Sequence, residues 1–398
     1  MSTLSTHLWI TRQILWITLR PHGMTLWTAN SLRVGTVTPC HVMSRTPLPR
    51  PTLLPGLPRI WRTPHTLQLG LDPARAVLLD LPDPRAAGLL DLLDGSRPER
   101  VALAQAGAVG LRPDEASALL DILHAAGLVR PAASLFPPAM PARLTAEAAA
   151  LAFAGADAAP ARTLRRRAAA RVVVTGPSRL AAGVAVALAE AGTGHIHPDL
   201  TGPVTRHELP GGPLTDADVG SPRAEAVAAA IQRSAPHTRT RPVRRGAASL
   251  VIQLGAGHAA TPPPVTSAHR NRPHLTASIR EGGVVVGPLV LPASSPCPNC
   301  MTLHRADRDA TWPRTPPAAA RAALEPCGVA TLLTAVAYLT SEALACLNEE
   351  TPETLGAEVV ITAPGRTRRR TWLPHPSCGC TRRTAGAASV RRAAIDRH

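Results

Sequence analysis

The stretch RVVVTGPSRLAAGVAVALAEAGTGHI, residues 171–196, limits the choice of fold more than any other part of the chain. Val172 to Thr175 are all β-branched and predict a short buried strand. Gly176 ends it, and an aliphatic run from about Leu180 to Ala191 predicts a helix. A strand that hands over to a helix through a glycine turn opens a βαβ unit, and such units build parallel sheets covered by helices. The helix N-terminus behind such a turn attracts anions through its unpaired N–H groups. A full phosphate loop reads G-x-G-x-x-G, and the matching positions here are Gly176, Ser178 and Ala181. Ser178 and Ala181 place side chains where close backbone approach is wanted, and Pro177 removes one backbone donor. Two readings stay open: a nucleotide site, or a strand–turn–helix that defines the fold without one. Asp199, 23 residues after Gly176, stands where a carboxylate meets a ribose hydroxyl, with a turn cap as the alternative.

Downstream, Ala224 to Arg233 predicts a helix with Arg223 at its start, and Leu250 to Leu254 and Leu275 to Arg280 predict short strands. Val284 to Leu291 predicts a pair of apolar strands broken at Gly287-Pro288. The chain then reaches SSPCPNCMTLHRADRDATWP, residues 294–313. Cys297 and Cys300 form a Cys-x-x-Cys knuckle after a loop rather than at the head of a domain, which disfavours a thioredoxin-like pair. Cys378-Gly379-Cys380 repeats the theme near the end of the chain. Four soft thiolates in two close pairs suit tetrahedral zinc, and inert or redox thiols are the alternative. Such a closed site would staple the chain, with no open position for hydrolysis. Cys327 and Cys346 have no partner by spacing and read as buried thiols. Asp307 and Asp309 alternate with Arg305 and Arg308, which a salt-bridged surface explains without a ligand. His304 and Trp312 are expected to pack this segment against its domain.

Upstream, residues 1–42 hold three of the six tryptophans and no acidic residue, and read as a disordered tail or a start placed too early, with Met43 as the alternative start. Leu67 and Leu69 alternate, Gly70-Leu-Asp-Pro73 turns, and Ala76 to Leu79 returns, which predicts a hairpin. Three short helices follow over Pro84–Leu93, Arg97–Ala106 and Pro113–Ala126, and Leu128-Val129 begins a strand. Residues 52–135 thus read as a small winged-helix-like α+β module, to whose hairpin edges, 67–69 or 76–79, an extended peptide could add a strand. Residues 136–170 read as a helical connector interrupted near Pro160, and 381–398 as a basic tail.

Charge and cysteine content narrow the function. The 43 Lys and Arg against 27 Asp and Glu give a net charge of +16, in clusters at 165–171, 239–245 and 366–370. Only Trp372 lies beside any of them, and aromatic residues are 2% of the chain, so nucleic acid is disfavoured as partner. Seven cysteines are too few for a secreted disulfide framework, so a cytoplasmic protein is expected. The apolar run Gly328 to Leu347 carries Thr331, Thr334, Thr340, Ser341 and Glu342, and predicts a packed core helix rather than a membrane span.

Taken together, four blocks carry a resemblance: LLPGLPRIWRTPHTLQLGLDP, VVVTGPSRLAAGVAVALAEAGTGHI with Asp199, VVVGPLVLPASSPCPNCMTLHRADRDATWP, and HPSCGC. Over roughly 52–380 the chain resembles the ThiF/MoeB/E1-like activating proteins. Within them it is similar to the actinobacterial, leader-peptide-binding proteins of azole-modified peptide (bacteriocin) biosynthesis that partner a YcaO-type cyclodehydratase. The resemblance implies a Rossmann-like ThiF/E1-type α/β domain over 171–380 and a peptide-recognition role for the winged-helix-like module. It matches Gly176, Ser178 and Ala181 to the phosphate loop, Asp199 to the ribose acid and Arg223 to a basic phosphate contact. Cys297, Cys300, Cys378 and Cys380 match the zinc knuckles. It further implies ATP and Mg²⁺, a homodimer, and a precursor peptide leader as partner. The matching enzymes activate a peptide C-terminal carboxylate on the α-phosphate of ATP. Here the loop departs at two glycines, and Arg206 alone stands where an Asn-x-x-Arg stretch is expected. A leader-binding scaffold is therefore the first expectation, with no catalytic residue assigned. An ATP-dependent adenylyltransferase is the alternative, and a winged-helix DNA-binding regulator a third.

Overall fold

The computed structural model describes residues 46–380 apart from 74, 82, 156–157, 244–246, 256–271, 293 and 312–323, and adds the backbone of three strands within 15–37. The chain divides into two compact units, Met1–Arg162 and Thr163–His398.

In the first unit, β1 (Leu15–Arg20), β2 (Gly23–Thr28) and β3 (Gly35–Val37) fall inside the first 42 residues. β4 (Pro51–Leu53), β5 (Arg59–Trp61), β6 (Thr66–Leu69) and β7 (Val77–Asp80) follow. Then come α1 (Leu89–Leu92), α2 (Glu99–Gln105), α3 (Pro113–Ala125), β8 (Val129–Pro131), α4 (Ala132–Leu135) and α5 (Thr145–Phe153). The hairpin is β6–β7, with Leu67 opposite Leu79 and Leu69 opposite Val77. These four leucine and valine side chains are buried with Leu119, Leu120 and Leu123 of α3, so the alternation along the strands and the apolar side of the helix make one core. The hairpin edges, however, are not free. The sheet order is β3-β2-β1-β7-β6-β5, so β6 is covered by β5 and β7 by β1. The expectation of strand addition at 67–69 or 76–79 is corrected accordingly, because both backbone rows are already paired. Among the described residues the end strand on that side is β5, where Trp61 is 46% exposed.

Helix α6 (Pro160–Ala169) runs across the boundary. The second unit continues with β9 (Arg171–Thr175), α7 (Leu180–Glu190), β10 (His195–Asp199), α8 (Arg223–Ser234), β11 (Leu250–Leu254), β12 (His274–Arg280) and β13 (Gly283–Val290). It ends with α9 (Pro298–Arg308), α10 (Val329–Asn348), β14 (Ala357–Ala363) and β15 (Arg366–Thr371). Its seven-stranded mixed sheet has the order β10-β9-β11-β12-β13-β14-β15. Neighbours from β10 to β12 pair parallel, and those from β12 to β15 pair antiparallel. The order reverses at β9, which has β10 on one side and β11 on the other. In open sheets of this kind the crevice at the carboxyl ends of the strands flanking the reversal is where ligands bind.

One sequence expectation changes here. Gly283–Val290 is one strand, not two: Leu275 pairs with Leu289 and Ala277 with Val286, so a single extra residue is taken up as a bulge and pairing continues on both sides. The Arg run at 366–370 lies in β15, an exposed strand paired along its length to the buried β14. α10 is long and apolar enough, by composition, to cross a membrane. It packs instead on α7, β13 and β14, burying Leu332, Ala335, Leu339 and Ala343. Its Glu342 is also buried, accepting from Thr354 N–H at 2.7 Å and the Thr354 hydroxyl at 2.5 Å. Arg167, 3% exposed, ties α6 to the end of α10 by donating to Asn348 Oδ1 at 3.0 Å.

Candidate functional site

The β9–α7 turn and the end of β11 are fitted backbone to backbone. Gly176 has φ +100°, and a Cβ there would lie 2.0 Å from the Leu254 carbonyl oxygen. Gly255 has φ +66°, and its Cβ would meet the Pro177 carbonyl at 2.3 Å. Neither position accepts a side chain, so the turns at the carboxyl ends of β9 and β11 are closely fitted to each other. Ala181, 1% exposed, faces the core, and its N–H donates to the Ser178 carbonyl at 3.0 Å, closing the first turn of α7. Asp199 ends β10 opposite Thr175, the residue before Gly176, and is exposed. Gly176, Ser178, Ala181 and Asp199 therefore gather at one edge of the sheet.

The donors at the head of α7 are taken by a carboxylate that no sequence motif marks. Glu325 Oε2 accepts from the Ser178 hydroxyl at 3.0 Å and from the Arg179 N–H at 2.7 Å. Burial, despite those donors, moves the Glu325 carboxyl above its ordinary range. The Arg179 guanidinium donates to the carbonyls of Glu325 at 3.1 Å and Cys327 at 3.2 Å.

Arg223 lies beside this group at the start of α8, and its fork is fully engaged. Nε donates to Glu208 Oε2 at 2.7 Å and Nη2 to Glu208 Oε1 at 2.9 Å, with side chains 11% and 10% exposed. Nη1 also donates to the Thr201 carbonyl, and Nη2 to that of Pro203 at 2.9 Å. The Glu208 hydrogen bond and charge raise Arg223 above its ordinary value. For Glu208, burial pulls upward, but the hydrogen bonds from Arg223 and Thr205 win and hold it below the usual carboxylate range. The pair fixes the loop between β10 and α8. Arg206, the other basic residue considered, is exposed and bridges Asp216 at 3.1 Å.

The four cysteines converge although 81 residues separate Cys297 from Cys378. Sγ–Sγ distances are 3.9 Å for Cys297–Cys300, 3.6 Å for Cys297–Cys378 and 3.4 Å for Cys300–Cys380, and all four sulfurs lie within 4.8 Å of one another. Disulfide sulfurs would stand about 2.05 Å apart. A tetrahedron of thiolates around zinc, at about 2.3 Å per bond, has edges of about 3.8 Å. The cluster therefore has the dimensions of a metal site. Local structure supplies it: Cys297 caps α9, Cys300 sits on its first turn, and Asn299 Nδ2 donates to Cys378 Sγ at 3.3 Å. Burial and neighbouring thiols push Cys297 up and Cys380 to about 11. Burial also opposes ionisation of Cys378, yet the Asn299 hydrogen bond and other contacts bring it to about 7. Without a cation such a cluster ionises only in part; a metal ion would let all four sulfurs act as thiolates.

A second group, His304, Asp307 and His375, lies beside it. Ser377 N–H donates to His375 Nδ1 at 3.1 Å, so the neutral ring carries its proton on Nε2 and gives it to Asp307 Oδ2 at 2.8 Å. That makes the group a hydrogen-bonded strut. His304 bonds the Leu373 carbonyl at 3.0 Å and packs edge-on to His375, as the packing role expected of it requires. Asp309 caps Thr311, and Arg305 pairs with Glu358 at 2.8 Å. Trp312 lies outside the described residues.

The class these features define is a mixed α/β protein whose seven-stranded sheet carries a glycine turn at the switch point, with a four-cysteine cluster in the same unit. Comparison with known proteins finds solved structures of similar fold. Escherichia coli MccB, solved with the peptide MccA-N7isoASN, is similar at 14% identity and a TM-score of 0.53, over 83% of this chain and 99% of that one. The same holds for MccB solved with ATP, at 14% identity, a TM-score of 0.53 and the same coverage. PaaA is similar at 14% identity and a TM-score of 0.53, over 79% of this chain and 98% of that one. No family model matches the sequence, and no curated protein matches it. At such identity the likeness is one of fold.

Proposed function

We propose that this chain is an ATP-dependent activating protein acting on the C-terminal carboxylate of a peptide. The observation that carries the reading is that Asp199 and the Gly176 turn lie side by side at the carboxyl ends of β10 and β9, bordering the switch-point crevice. The fold likeness to MccB, which has been solved with ATP and with MccA, supports it. In this reading Asp199 binds the ribose hydroxyls, and the turn from Ser178 to Ala181 faces the phosphates from the head of α7. ATP, with Mg²⁺, would supply the phosphorus centre that the carboxylate attacks and the pyrophosphate that leaves. Arg223 acts by holding the loop next to Asp199. Cys297, Cys300, Cys378 and Cys380 hold a structural zinc that ties residues 378–380 to α9. The first unit is the peptide-recognition module, winged-helix-like in its hairpin and helices, and an extended peptide would pair along β5. A cytoplasmic homodimer completes the reading.

A second reading keeps the peptide and drops the chemistry: a leader-binding scaffold for a YcaO-type cyclodehydratase in azole-modified peptide biosynthesis. The occupied donors of Ser178 and Arg179, and an Arg223 committed to Glu208, favour it. Nothing favours a DNA-binding regulator, since α3 carries Asp114, Glu115 and Asp121 and no Lys or Arg. The deciding experiment is exchange of labelled pyrophosphate into ATP, with precursor peptides ending in a free carboxylate or an amide. Exchange that needs the free carboxylate supports the activating reading. Peptide binding without exchange and without ATP binding would replace it by the scaffold.

A further inference from the structure

The donors at the head of α7 are filled from within the chain. Glu325 lies 147 residues from Ser178, yet its carboxylate takes both the Ser178 hydroxyl and the Arg179 N–H. Arg179 grips the same segment by its backbone, at the Glu325 and Cys327 carbonyls, while its buried Nε has no partner. A carboxylate is the side-chain group closest to phosphate in what it asks of a helix N-terminus. It carries less charge and fewer acceptor oxygens, so a phosphate held by the same donors is held more strongly. The turn is fitted closely to the end of β11, since a Cβ at Gly176 or Gly255 would meet the backbone of the other, whereas Glu325 reaches the donors by a side chain that can rotate away. The exchangeable partner is therefore Glu325. Ser178, at a position where a phosphate loop has glycine, acquires a reason: its hydroxyl is a donor that glycine lacks. The upward shift of the Glu325 carboxyl agrees, since an ionised group held there at a desolvation cost is readily exchanged.

Building on the nucleotide reading of this crevice, we propose that Glu325 is a built-in competitor for the nucleotide phosphates. It occupies the Ser178–Arg179 donors in the ligand-free protein, and a phosphate-bearing ligand binds only when the Glu325–Cys327 segment lets go of Arg179.

The test uses the full chain and titrates MgATP and, separately, inorganic pyrophosphate by calorimetry into wild type, Glu325→Gln and Glu325→Ala. Removing the carboxylate is expected to tighten binding of both probes at least about tenfold, with the glutamine variant in between. Hydrogen exchange at the Arg179 amide gives a readout without activity. It should be slow in wild type, faster in Glu325→Ala, and slow again with pyrophosphate. If the alanine variant does not fold, the glutamine variant decides, and an affinity equal to wild type overturns the proposal. Equal affinities together with peptide-dependent exchange in wild type overturn the competitor and leave the activating reading standing. Tighter binding in Glu325→Ala with no exchange in any form upholds the competitor and overturns the activating reading. No binding in any form overturns both.

Discussion

Replacing Arg223 by alanine separates a ligand contact from a structural strut. The fork makes two charge-assisted bonds to Glu208, at 2.7 and 2.9 Å, in a place where both side chains are nearly buried. Removing one partner of such a pair leaves a buried carboxylate behind and costs about 3–5 kcal/mol. Glu208 would keep its bonds from Thr205 N–H at 2.9 Å and the Thr205 hydroxyl at 3.0 Å, which places the expectation at the low end, about 3 kcal/mol. For a unit of this size that is a fall in Tm of roughly 6–12 °C, read by scanning calorimetry. Arg223→Lys should recover only part of it, because one ammonium cannot make the two-pronged contact. The acid limb gives a second readout. Glu208 is held below the ordinary carboxylate range, so its contribution is complete above that range and is lost as pH falls through the depressed value. In Arg223→Ala that loss should move to higher pH. Unchanged stability together with lost MgATP binding would refute the strut and make Arg223 a phosphate ligand.

Gly176→Ala should cost more than about 3 kcal/mol, from the left-handed φ and the approach to Leu254, and unchanged urea unfolding would refute the fitted-turn account. Zinc should be found at one per chain by elemental analysis. Cys378→Ser, or a strong chelator, should lower Tm by on the order of 10 °C, and a metal-free protein of full stability would exclude the structural role. Asp199→Ala should leave Tm within a degree or two, since the side chain is exposed, while weakening MgATP binding about tenfold or more; equal binding would remove Asp199 from the nucleotide reading.

The parts legible in sequence are those whose cause is local. Val172 to Thr175 with the aliphatic run after Leu180 gives β9 and α7 within a residue or two, and Leu67 and Leu69 give the hairpin. Each cysteine pair is legible by spacing, while their meeting depends on where α9 and the residues after β15 come to lie. β14 and β15 are hidden in the sequence because the arginines of RTRRRT outweigh the alternation of AEVVITA and the Pro364-Gly365 turn between them. Glu325 cannot be found by pattern, since its partner Ser178 is 147 residues away and it belongs to no motif. Glu208 closes a Thr205-x-x-Glu208 capping box that sequence could have shown, but its pairing with Arg223, 15 residues on, could not be read from it. Conversely, Ser178 reads as a lost glycine when only its effect on backbone approach is weighed, and not the hydrogen bond its hydroxyl can donate.

Glu208 and Glu325 lie close enough for their charges to interact, and they do opposite things. Glu208 is surrounded by donors whose effect exceeds its burial, so its ionised form is stabilised and it behaves as scaffold. Glu325 has fewer donors for its burial, so protonation favours its place: its contribution is complete below the ordinary glutamate range and is lost as pH rises through the raised value. At neutral pH the chain thus holds one anion firmly and another weakly within the same neighbourhood of Arg179 and Arg223. A ligand phosphate brought to the crevice should displace the weakly held one and leave the other. Arg223 can then remain committed to Glu208 throughout a binding cycle, and its internal ion pair does not by itself argue against nucleotide binding at the Gly176 turn.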